Sequence, residues 1–269
     1  MIENKILCLI TFIINISVFA PEVTAKKPSR IVGGESARIE DWPAVVTVGN
    51  ILTNETCGGV LISHKHVLTA AHCIVSGREE DDPSMDQLEY YNVRAGSSSC
   101  KNMDQDKLIP VVTVNIHRFF LRYPPTPEAD IAILELKRTI DFEPALIPTR
   151  QFREGETGTI LGCGWTKPED SSSVDDLKKA SMTIIKVDDS SIKAIATTGI
   201  AFCYGDSGGP FMIGNTVVGI ISNSFDCTGN TPGSYTNVYT YTTWIDDVLT
   251  YGGQSIFSGD VKIRKNNFS

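Results

Sequence analysis

The sequence predicts an all-β protein, organised as a barrel or a sandwich, with one helix close to its C-terminus. Many short runs rich in valine, isoleucine, threonine and tyrosine are separated by glycine, proline or acidic turns, which is typical of consecutive strands. A helix is predicted only where Trp244, Ile245, Val248 and Leu249 recur at helical spacing. Because helices do not alternate with the strand-like runs, a parallel α/β sheet is excluded.

The predicted strands are short, and Gly214-Asn215 between two of them is typical of a hairpin turn. No repeat of fixed period is visible along the chain. The strand-like runs cover residues 43–48, 58–62, 91–95, 111–116, 131–136, 157–161, 181–187, 210–213, 217–222 and 235–238.

Composition points to a globular protein that does not bind nucleic acid. The chain has 269 residues, a length that a single all-β protein can fill. Hydrophobic residues make up 41% and charged residues 21%, which excludes a disordered chain. The net charge of −8 offers no basic groove to a phosphate backbone.

The N-terminus has the pattern of an export signal. An apolar run of about 15 residues follows Lys5, which is short for a membrane span but typical of a signal-peptide core. We expect a signal peptide over residues 1–20, with cleavage after Ala20 or after Ala25; the alternative is an uncleaved anchor. Residues 21–30 are a short, basic, proline-containing pro-segment. The protein is therefore expected to be secreted and extracellular, without a membrane span.

Cysteine number and sequons agree with an oxidising compartment. Seven cysteines become six when Cys8 leaves with the signal peptide, and an even number there suggests three disulfides. Asn54 and Asn267 begin N-glycosylation sequons. The remaining cysteines are Cys57, Cys73, Cys100, Cys163, Cys203 and Cys227.

Three segments carry residues suited to nucleophilic catalysis: Thr69-Ala70-Ala71-His72-Cys73, Asp130-Ile131-Ala132-Ile133-Leu134 and Gly205-Asp206-Ser207-Gly208-Gly209-Pro210. A serine hydroxyl needs a base with a pKa near neutrality, which a histidine supplies, and a carboxylate must hold that imidazole in the correct tautomer. Glycines beside the serine allow a tight turn that directs backbone N–H groups toward an oxyanion.

Metal chemistry is the less favoured interpretation. A zinc site would use Cys57, His72, Cys73 and either His64 or His66, but the paired ligand spacing of tetrahedral sites is absent. His64, His66 and His117 are expected to be surface or structural residues. The acidic run at 79–82 lacks the ligand spacing of a calcium loop and is expected to be a solvated loop. We expect neither a metal nor a cofactor.

These segments together resemble those of the chymotrypsin/trypsin family of secreted serine proteases. The resemblance runs from Ile31-Val32-Gly33-Gly34 to about Leu249 and preserves the family's order of histidine, aspartate and serine. It implies two packed six-stranded antiparallel β-barrels with a short C-terminal helix over residues 31–251. Residues 252–269 are expected to form a polar tail.

The resemblance also implies the roles of individual residues. His72 would be the general base, Asp130 its orienting carboxylate and Ser207 the nucleophile. The N–H groups of Gly205 and Ser207 would form the oxyanion hole. Ser222 lies where the backbone of family members pairs with bound substrate.

Activation by cleavage is implied at the Arg30-Ile31 junction. By resemblance, the freed amine of Ile31 would turn inward and pair with Asp206, next to the nucleophile. A buried carboxylate is costly without a partner, and an ammonium group would compensate its charge. The alternative is that Asp206 only stabilises a turn.

Two disulfides follow from the resemblance, Cys57–Cys73 and Cys203–Cys227. Cys100 and Cys163 do not match the usual remaining bridges of the family. Their pairing is the simplest way to avoid free thiols in an oxidising compartment.

The substrate pocket departs from that of a trypsin. Ala201 stands where a trypsin has the aspartate at the floor, and Asn223 and Ser224 replace the usual aromatic residue and glycine of one wall. Gly233 keeps the opposite wall open. We therefore expect cleavage after Arg or Lys to be disfavoured, although Asp226 near the rim leaves open a weak preference for basic substrates.

Phe202, where a small polar residue is usual, leaves two specificities open. If its ring points into the pocket, small residues such as Ala or Val are favoured, as in an elastase-like enzyme. If it points away, Phe, Tyr, Leu or Met are favoured, as in a chymotrypsin-like enzyme.

The expected function is that of a secreted serine endopeptidase that acts as a monomer. Its expected partners are protein or peptide substrates, an activating protease and protein inhibitors. The alternative is a catalytically weak or inactive protease homologue that acts as a binding protein. Residues 205–209 also match the G-x-S-x-G pattern of esterases, but the order of the catalytic residues and the lack of alternating helices reject an α/β-hydrolase.

Overall fold

The computed structural model contains two antiparallel sheets, each closed into a barrel. It describes residues 31–53, 55–75, 88–100, 107–122, 128–164, 176–196, 199–223, 227–252 and 261–264. The predicted pair of six-stranded barrels with a short C-terminal helix is confirmed.

The first barrel has the strand order β6-β5-β2-β3-β4-β7 and closes where β7 pairs with β6. Its strands carry the alternating or continuous apolar runs found in the sequence, and their inward side chains form its core. The strands are β2 (Val45–Asn50), β3 (Thr56–Ser63), β4 (His66–Thr69), β5 (Tyr91–Ala95), β6 (Ile109–Ile116) and β7 (Ala132–Leu136).

The second barrel has the order β9-β10-β13-β12-β11-β8 and closes where β8 pairs with β9. Its interior is a separate apolar cluster that includes Phe202, Phe211 and Tyr235. The strands are β8 (Thr157–Gly162), β9 (Lys178–Val187), β10 (Ser191–Ile195), β11 (Pro210–Ile213), β12 (Thr216–Asn223) and β13 (Gly233–Asn237).

Each barrel is extended by one short strand that lies, in sequence, beyond the strands of the other barrel. β1 (Glu35–Ser36) pairs with β9 of the second barrel, and β14 (Val261–Arg264) pairs with β6 of the first. β14 lies within the segment expected to be a polar tail. Only Ile109 and Pro110 of β6 pair with β5, so the other half of β6 offers an edge that a short run of extended chain can join.

Two α-helices are described, α1 (Arg118–Arg122) and α2 (Thr242–Tyr251). α2 is the helix predicted from the sequence, and it buries Trp244, Ile245 and Val248. It ends at Gly252, whose φ of 63° gives the left-handed conformation that closes many helices. In the described part of the chain, no helix is both long and apolar enough to cross a membrane.

Three disulfides join described residues, and all three predicted pairings are confirmed. Cys57–Cys73 and Cys203–Cys227 each join segments close in sequence, at separations of 16 and 24 residues. The Cys100–Cys163 bridge spans 63 residues, with a Cα–Cα distance of 5.7 Å. Since Cys100 follows β5 and Cys163 follows β8, this bridge ties the first barrel to the second.

Candidate active site

The three predicted catalytic residues come from both barrels. His72 lies in a short 3-10 helix, Ala71–Cys73, that follows β4, and Asp130 lies shortly before β7. Ser207 lies in the turn that leads into β11 of the second barrel. Each residue therefore stands in a connection at the end of a strand, where a rigid barrel can position a loop residue.

Asp130 is buried, with 2% of its surface exposed, and it holds His72 at two points. Its Oδ1 accepts a hydrogen bond from the His72 backbone N–H at 2.9 Å, and its Oδ2 lies 2.7 Å from His72 Nδ1. The Ser222 hydroxyl donates to the same Oδ2 at 2.6 Å. The Thr236 hydroxyl donates to the Asp130 backbone carbonyl at 2.8 Å. The imidazole and its carboxylate are thus fixed relative to each other.

The same contacts shift both pKa values. Burial alone would raise the pKa of Asp130, but the hydrogen bond and charge of His72 and the hydrogen bond from Ser222 hold it below its ordinary value. For His72, burial lowers the pKa, and the hydrogen bond and charge of Asp130 more than offset it. The pKa of His72 is therefore raised above its ordinary value.

The turn that carries Ser207 packs directly on the segment that carries His72. The Gly58 N–H donates to the Ser207 carbonyl at 2.7 Å, and the neighbouring Cys57 is bridged to Cys73. A Cβ atom on Gly208 would overlap the hydroxyl of Thr69, three residues before His72. Among the described residues, the Ser207 hydroxyl makes no hydrogen bond with His72. Such contacts are commonly long without substrate and tighten in the Michaelis complex.

Two backbone N–H groups beside Ser207 are available to a ligand. The N–H groups of Gly205 and Ser207 donate to no other residue in the described ranges, whereas those of Asp206 and Gly209 donate within the turn and that of Gly208 donates to the Ile221 carbonyl of β12. Gly205 has a φ of 88°, a conformation that a residue with a Cβ rarely adopts. These two donors are the ones predicted for the oxyanion hole.

Asp206 is completely buried in a cradle of backbone. Its Oδ1 accepts a hydrogen bond from the Gly164 N–H at 2.6 Å, and its Oδ2 accepts one from the Cys203 N–H at 2.9 Å. A Cβ atom at either Gly162 or Gly164 would overlap this carboxylate. Sequence reasoning missed both glycines, although the run Gly162-Cys163-Gly164 was a visible signal of close backbone approach.

The N-terminal segment is inserted beside the serine turn. Ile31 is fully buried in the same apolar cluster as Phe202 and Tyr235. The next residue, Val32, accepts a hydrogen bond through its carbonyl from the Ala201 N–H at 3.1 Å. Arg30, the residue before the predicted cleavage point, lies outside the described residues.

Ala201 and Phe202 lie on the segment before the serine turn, and two other predicted pocket residues, Ser222 and Gly233, lie in β12 and at the start of β13. Phe202 is only 3% exposed, and its ring lies so close to Gly233 that a Cβ atom there would overlap it. The same ring makes an edge contact with Tyr235, with 5.4 Å between the ring centres. Ala201 is also buried. Ser224, Asp226 and the two sequon residues Asn54 and Asn267 lie outside the described residues.

The family model for trypsin matches residues 31–245 of this chain. The chain belongs to the trypsin family. Trypsin 5G1 of Aedes aegypti is 30% identical over 243 residues, which cover 83% of this chain and 86% of that protein. A trypsin of Phaedon cochleariae is 28% identical over 255 residues, covering 84% of this chain and 91% of its own length.

Solved structures share the same fold. A scabies mite inactivated protease paralogue is 26% identical, with a TM-score of 0.67, and covers 81% of this chain and 99% of that chain. Neuropsin from mouse brain, described as a serine protease, is 24% identical with a TM-score of 0.68, and covers 80% and 98% of the two chains. Human heparin binding protein is 21% identical with a TM-score of 0.68, and covers 81% and 96%.

The other histidines have structural contacts. His64 Nδ1 lies 2.9 Å from the Ile140 carbonyl, and His66 Nδ1 lies 2.8 Å from the Ser63 hydroxyl. His117 packs against the rings of Tyr241 and Trp244. Within the described ranges, no three His, Cys, Asp or Glu side chains are grouped so that they could hold a metal ion.

Proposed function

We propose that this member of the trypsin family is a secreted serine endopeptidase that hydrolyses peptide bonds through an acyl-enzyme. The observation that carries the proposal is the pairing of His72 Nδ1 with the buried Asp130 carboxylate at 2.7 Å. This contact leaves Nε2 as the ring nitrogen for proton transfer, in a turn that packs on the turn of Ser207. The raised pKa of His72 suits a base that must hold a proton and release it near neutral pH.

In the proposed reaction, Ser207 Oγ attacks the carbonyl carbon of the scissile peptide bond while its proton passes to His72 Nε2. The carbonyl oxygen becomes an oxyanion and accepts hydrogen bonds from the N–H groups of Gly205 and Ser207. His72 then gives the proton to the leaving amine, and an acyl-enzyme forms on Ser207. Water, deprotonated by the same imidazole, hydrolyses that ester and restores the serine.

We propose that the protein is made as an inactive precursor with a signal peptide at 1–20 and is activated by cleavage after Arg30. The depth of Ile31 in the second barrel and the buried Asp206 carboxylate support this proposal. The partners would be an activating protease, peptide or protein substrates and protein inhibitors, and the enzyme would act as a monomer. Secretion would allow N-glycosylation at Asn54 and Asn267.

The proposed specificity is for apolar residues before the scissile bond. A guanidinium or ammonium group in a buried pocket needs a carboxylate to offset its desolvation. Ala201 offers none where a trypsin has its aspartate, so cleavage after Arg or Lys is disfavoured.

The decisive experiment compares activated wild-type protein with Ser207→Ala. We expect peptidase activity to fall by several orders of magnitude, roughly 10³-fold or more, because the nucleophile is lost. A phosphonate reagent should label wild-type Ser207 and leave the variant unlabelled, as measured by mass spectrometry. Ser181→Ala, on the exposed face of β9, is the matched control and should keep full activity. Equal hydrolysis by wild type and Ser207→Ala would refute the assignment.

A binding protein that uses the same scaffold is the second candidate. It is favoured by the Phe202 ring, which lies against Gly233. The 26% identical scabies mite structure is described as an inactivated protease paralogue. This candidate predicts that activated wild-type protein neither cleaves a mixed peptide library nor reacts with the phosphonate.

A further inference from the structure

We propose that Phe202 fills the pocket for the residue before the scissile bond, and that the enzyme therefore cleaves after small residues such as Ala or Val. This inference rests on the proposed endopeptidase function and names the substrate class of that site. It makes Phe202 the specificity-determining residue of the chain.

The position of Phe202 connects it to the nucleophile through the backbone. Phe202 directly precedes Cys203 and lies five residues before Ser207 in the same turn-rich segment. Cys203 is bridged to Cys227, with a Cα–Cα distance of 5.0 Å, and the chain then leads to Gly233 at the start of β13. The disulfide therefore holds the segment that carries Phe202 close to the segment that carries Gly233.

The ring occupies the space between these two segments. A Cβ atom at Gly233 would overlap Cε1 of the ring and would lie 3.0 Å from Cζ and 3.2 Å from Cδ1. Real Cβ atoms are almost never found so close to another atom, so Gly233 accommodates the ring of Phe202. A glycine at position 233 would leave an open pocket if no other side chain filled the space. In this protein the ring of Phe202 fills it.

The ring of Tyr235 packs against the ring of Phe202. Tyr235 is fully buried, and its hydroxyl has no hydrogen-bond partner within the part of the chain that the structure describes. Burial, together with the nearby charge of Asp206, raises the pKa of this hydroxyl, so it stays neutral. A buried hydroxyl without a partner is unfavourable, and it would hydrogen-bond a polar group that could reach it. The edge of the Phe202 ring packs on the Tyr235 ring and contributes to its burial.

Size and charge then select the substrate. Since the ring fills the cavity, a second aromatic or long side chain cannot enter without displacing it, and Ala201 offers no carboxylate to attract a basic one. A methyl or isopropyl group is shorter and does not require displacement of the ring. The exclusion of large substrate side chains therefore depends on Phe202 alone, and replacing Phe202 with a small residue should abolish it.

The first test measures kcat/KM on peptides that differ only in the residue before the scissile bond: Ala, Val, Phe, Tyr or Arg. Wild type should prefer Ala or Val. In Phe202→Ser, the ratio of kcat/KM for Tyr over Ala should rise about 100-fold, as expected when a pocket gains room for several carbon atoms. Phe142→Ser, which removes a half-exposed phenylalanine that packs on Gly96 in the first barrel, is the matched control and should keep the wild-type profile.

The second test does not depend on catalysis. The cavity left in Phe202→Ser should bind p-cresol, whose ring replaces the lost one beside the Tyr235 ring. Calorimetry and thermal shift should detect binding to this variant and none to wild type or to Phe142→Ser. If Phe202→Ser fails to fold, Phe202→Val removes the ring, keeps a larger apolar group and is measured in the same way.

Several outcomes would overturn the inference. A wild-type preference for Phe, Tyr, Arg or Lys would show that the ring leaves the pocket open. An unchanged substrate profile in Phe202→Ser, or equal p-cresol binding by wild type and variant, would show the same. If neither protein cleaves peptides or reacts with the phosphonate, the proposed function fails, and p-cresol binding alone decides whether Phe202 fills the pocket.

Discussion

At the scale of single residues, Asp130 organises the candidate site. Its two carboxylate oxygens and its carbonyl receive hydrogen bonds from the His72 backbone, Ser222 and Thr236, and Oδ2 also contacts the imidazole. A buried carboxylate is stable only with such partners. Because these partners come from both barrels, the orientation of His72 depends on how the barrels meet.

The pH dependence of activity should report this pairing. His72 must be neutral to act as a base, so kcat/KM should rise with pH through a midpoint above 6.5, the ordinary pKa of a histidine, because Asp130 raises the pKa. Asp130→Asn removes the charge and leaves burial, which lowers the pKa. The midpoint should then fall below that of wild type, and the rate should drop by about 10⁴-fold because the tautomer is no longer fixed.

The control for this experiment is Asp246→Asn, which removes an exposed carboxylate of α2. It should keep both the wild-type rate and the wild-type midpoint. An Asp130→Asn protein with an unchanged midpoint would show that Asp130 does not set the pKa of His72.

At the scale of elements, the first residues of the trypsin-family domain insert into the second barrel. Ile31 is buried in its core, and Val32 pairs with Ala201, close to the serine turn. A Cβ atom at Gly33 would overlap the Gly199 carbonyl oxygen and Cγ1 of Ile200, so the N-terminal segment packs closely on the residues just before Ala201. We therefore expect docking of this segment to affect the shape of the serine turn.

This coupling predicts that the precursor depends on cleavage after Arg30. Arg30→Gln, treated with a trypsin-like protease, should remain at least about 100-fold less active than treated wild type, since Asp206 lacks the ammonium that would compensate its charge. Mass spectrometry identifies the new N-terminus, and a peptide assay gives the activity. Lys27→Gln is the control and should activate normally. Full activity of uncleaved Arg30→Gln would show that the Ile31 amine is not required.

At the scale of the whole molecule, two closed barrels are held together by the Cys100–Cys163 bridge, by shared apolar packing and by exchanged strands. Residues of both barrels contribute to one apolar cluster, which also contains the buried side chains of α2. β1 and β14 each cross to the barrel formed mainly by the other half of the chain. The site lies where the barrels meet, so its geometry depends on how the two barrels pack.

Removal of the bridge between the barrels should lower stability measurably. The Cys100→Ser/Cys163→Ser double variant should lose roughly 4 kcal/mol of unfolding free energy by the chain-entropy argument for a long loop. Denaturant unfolding should be followed in a Ser207→Ala background, which prevents self-digestion. The Cys57–Cys73 bridge closes a loop of only 16 residues, so its removal in Cys57→Ser/Cys73→Ser should cost less, about 3 kcal/mol. Equal stability of the Cys100→Ser/Cys163→Ser variant and its parent would contradict the role given to this bridge.

Local patterns were enough to predict several features of this protein. The strand-like runs, the helix at Trp244–Leu249 and the glycine-rich turn around Ser207 each depend on neighbours in sequence, so they can be recognised without the fold. Chain order and short motifs then indicated the family, which the comparisons confirmed. The pairing of Cys100 with Cys163 was predicted only because these two cysteines remained. The fold explains the pairing, since it brings the ends of β5 and β8 together.

Contacts between distant segments were decided by the tertiary structure alone. The hydrogen bonds of Ser222 and Thr236 to Asp130 join residues 92 and 106 positions apart, and no local pattern encodes them. β14 can pair with one half of β6 because that half pairs with β7 on one edge and has no β5 partner on the other. The Phe202 ring has a defined place because Gly233 and Tyr235 leave one there, so its orientation follows from packing between segments that only the folded chain brings together.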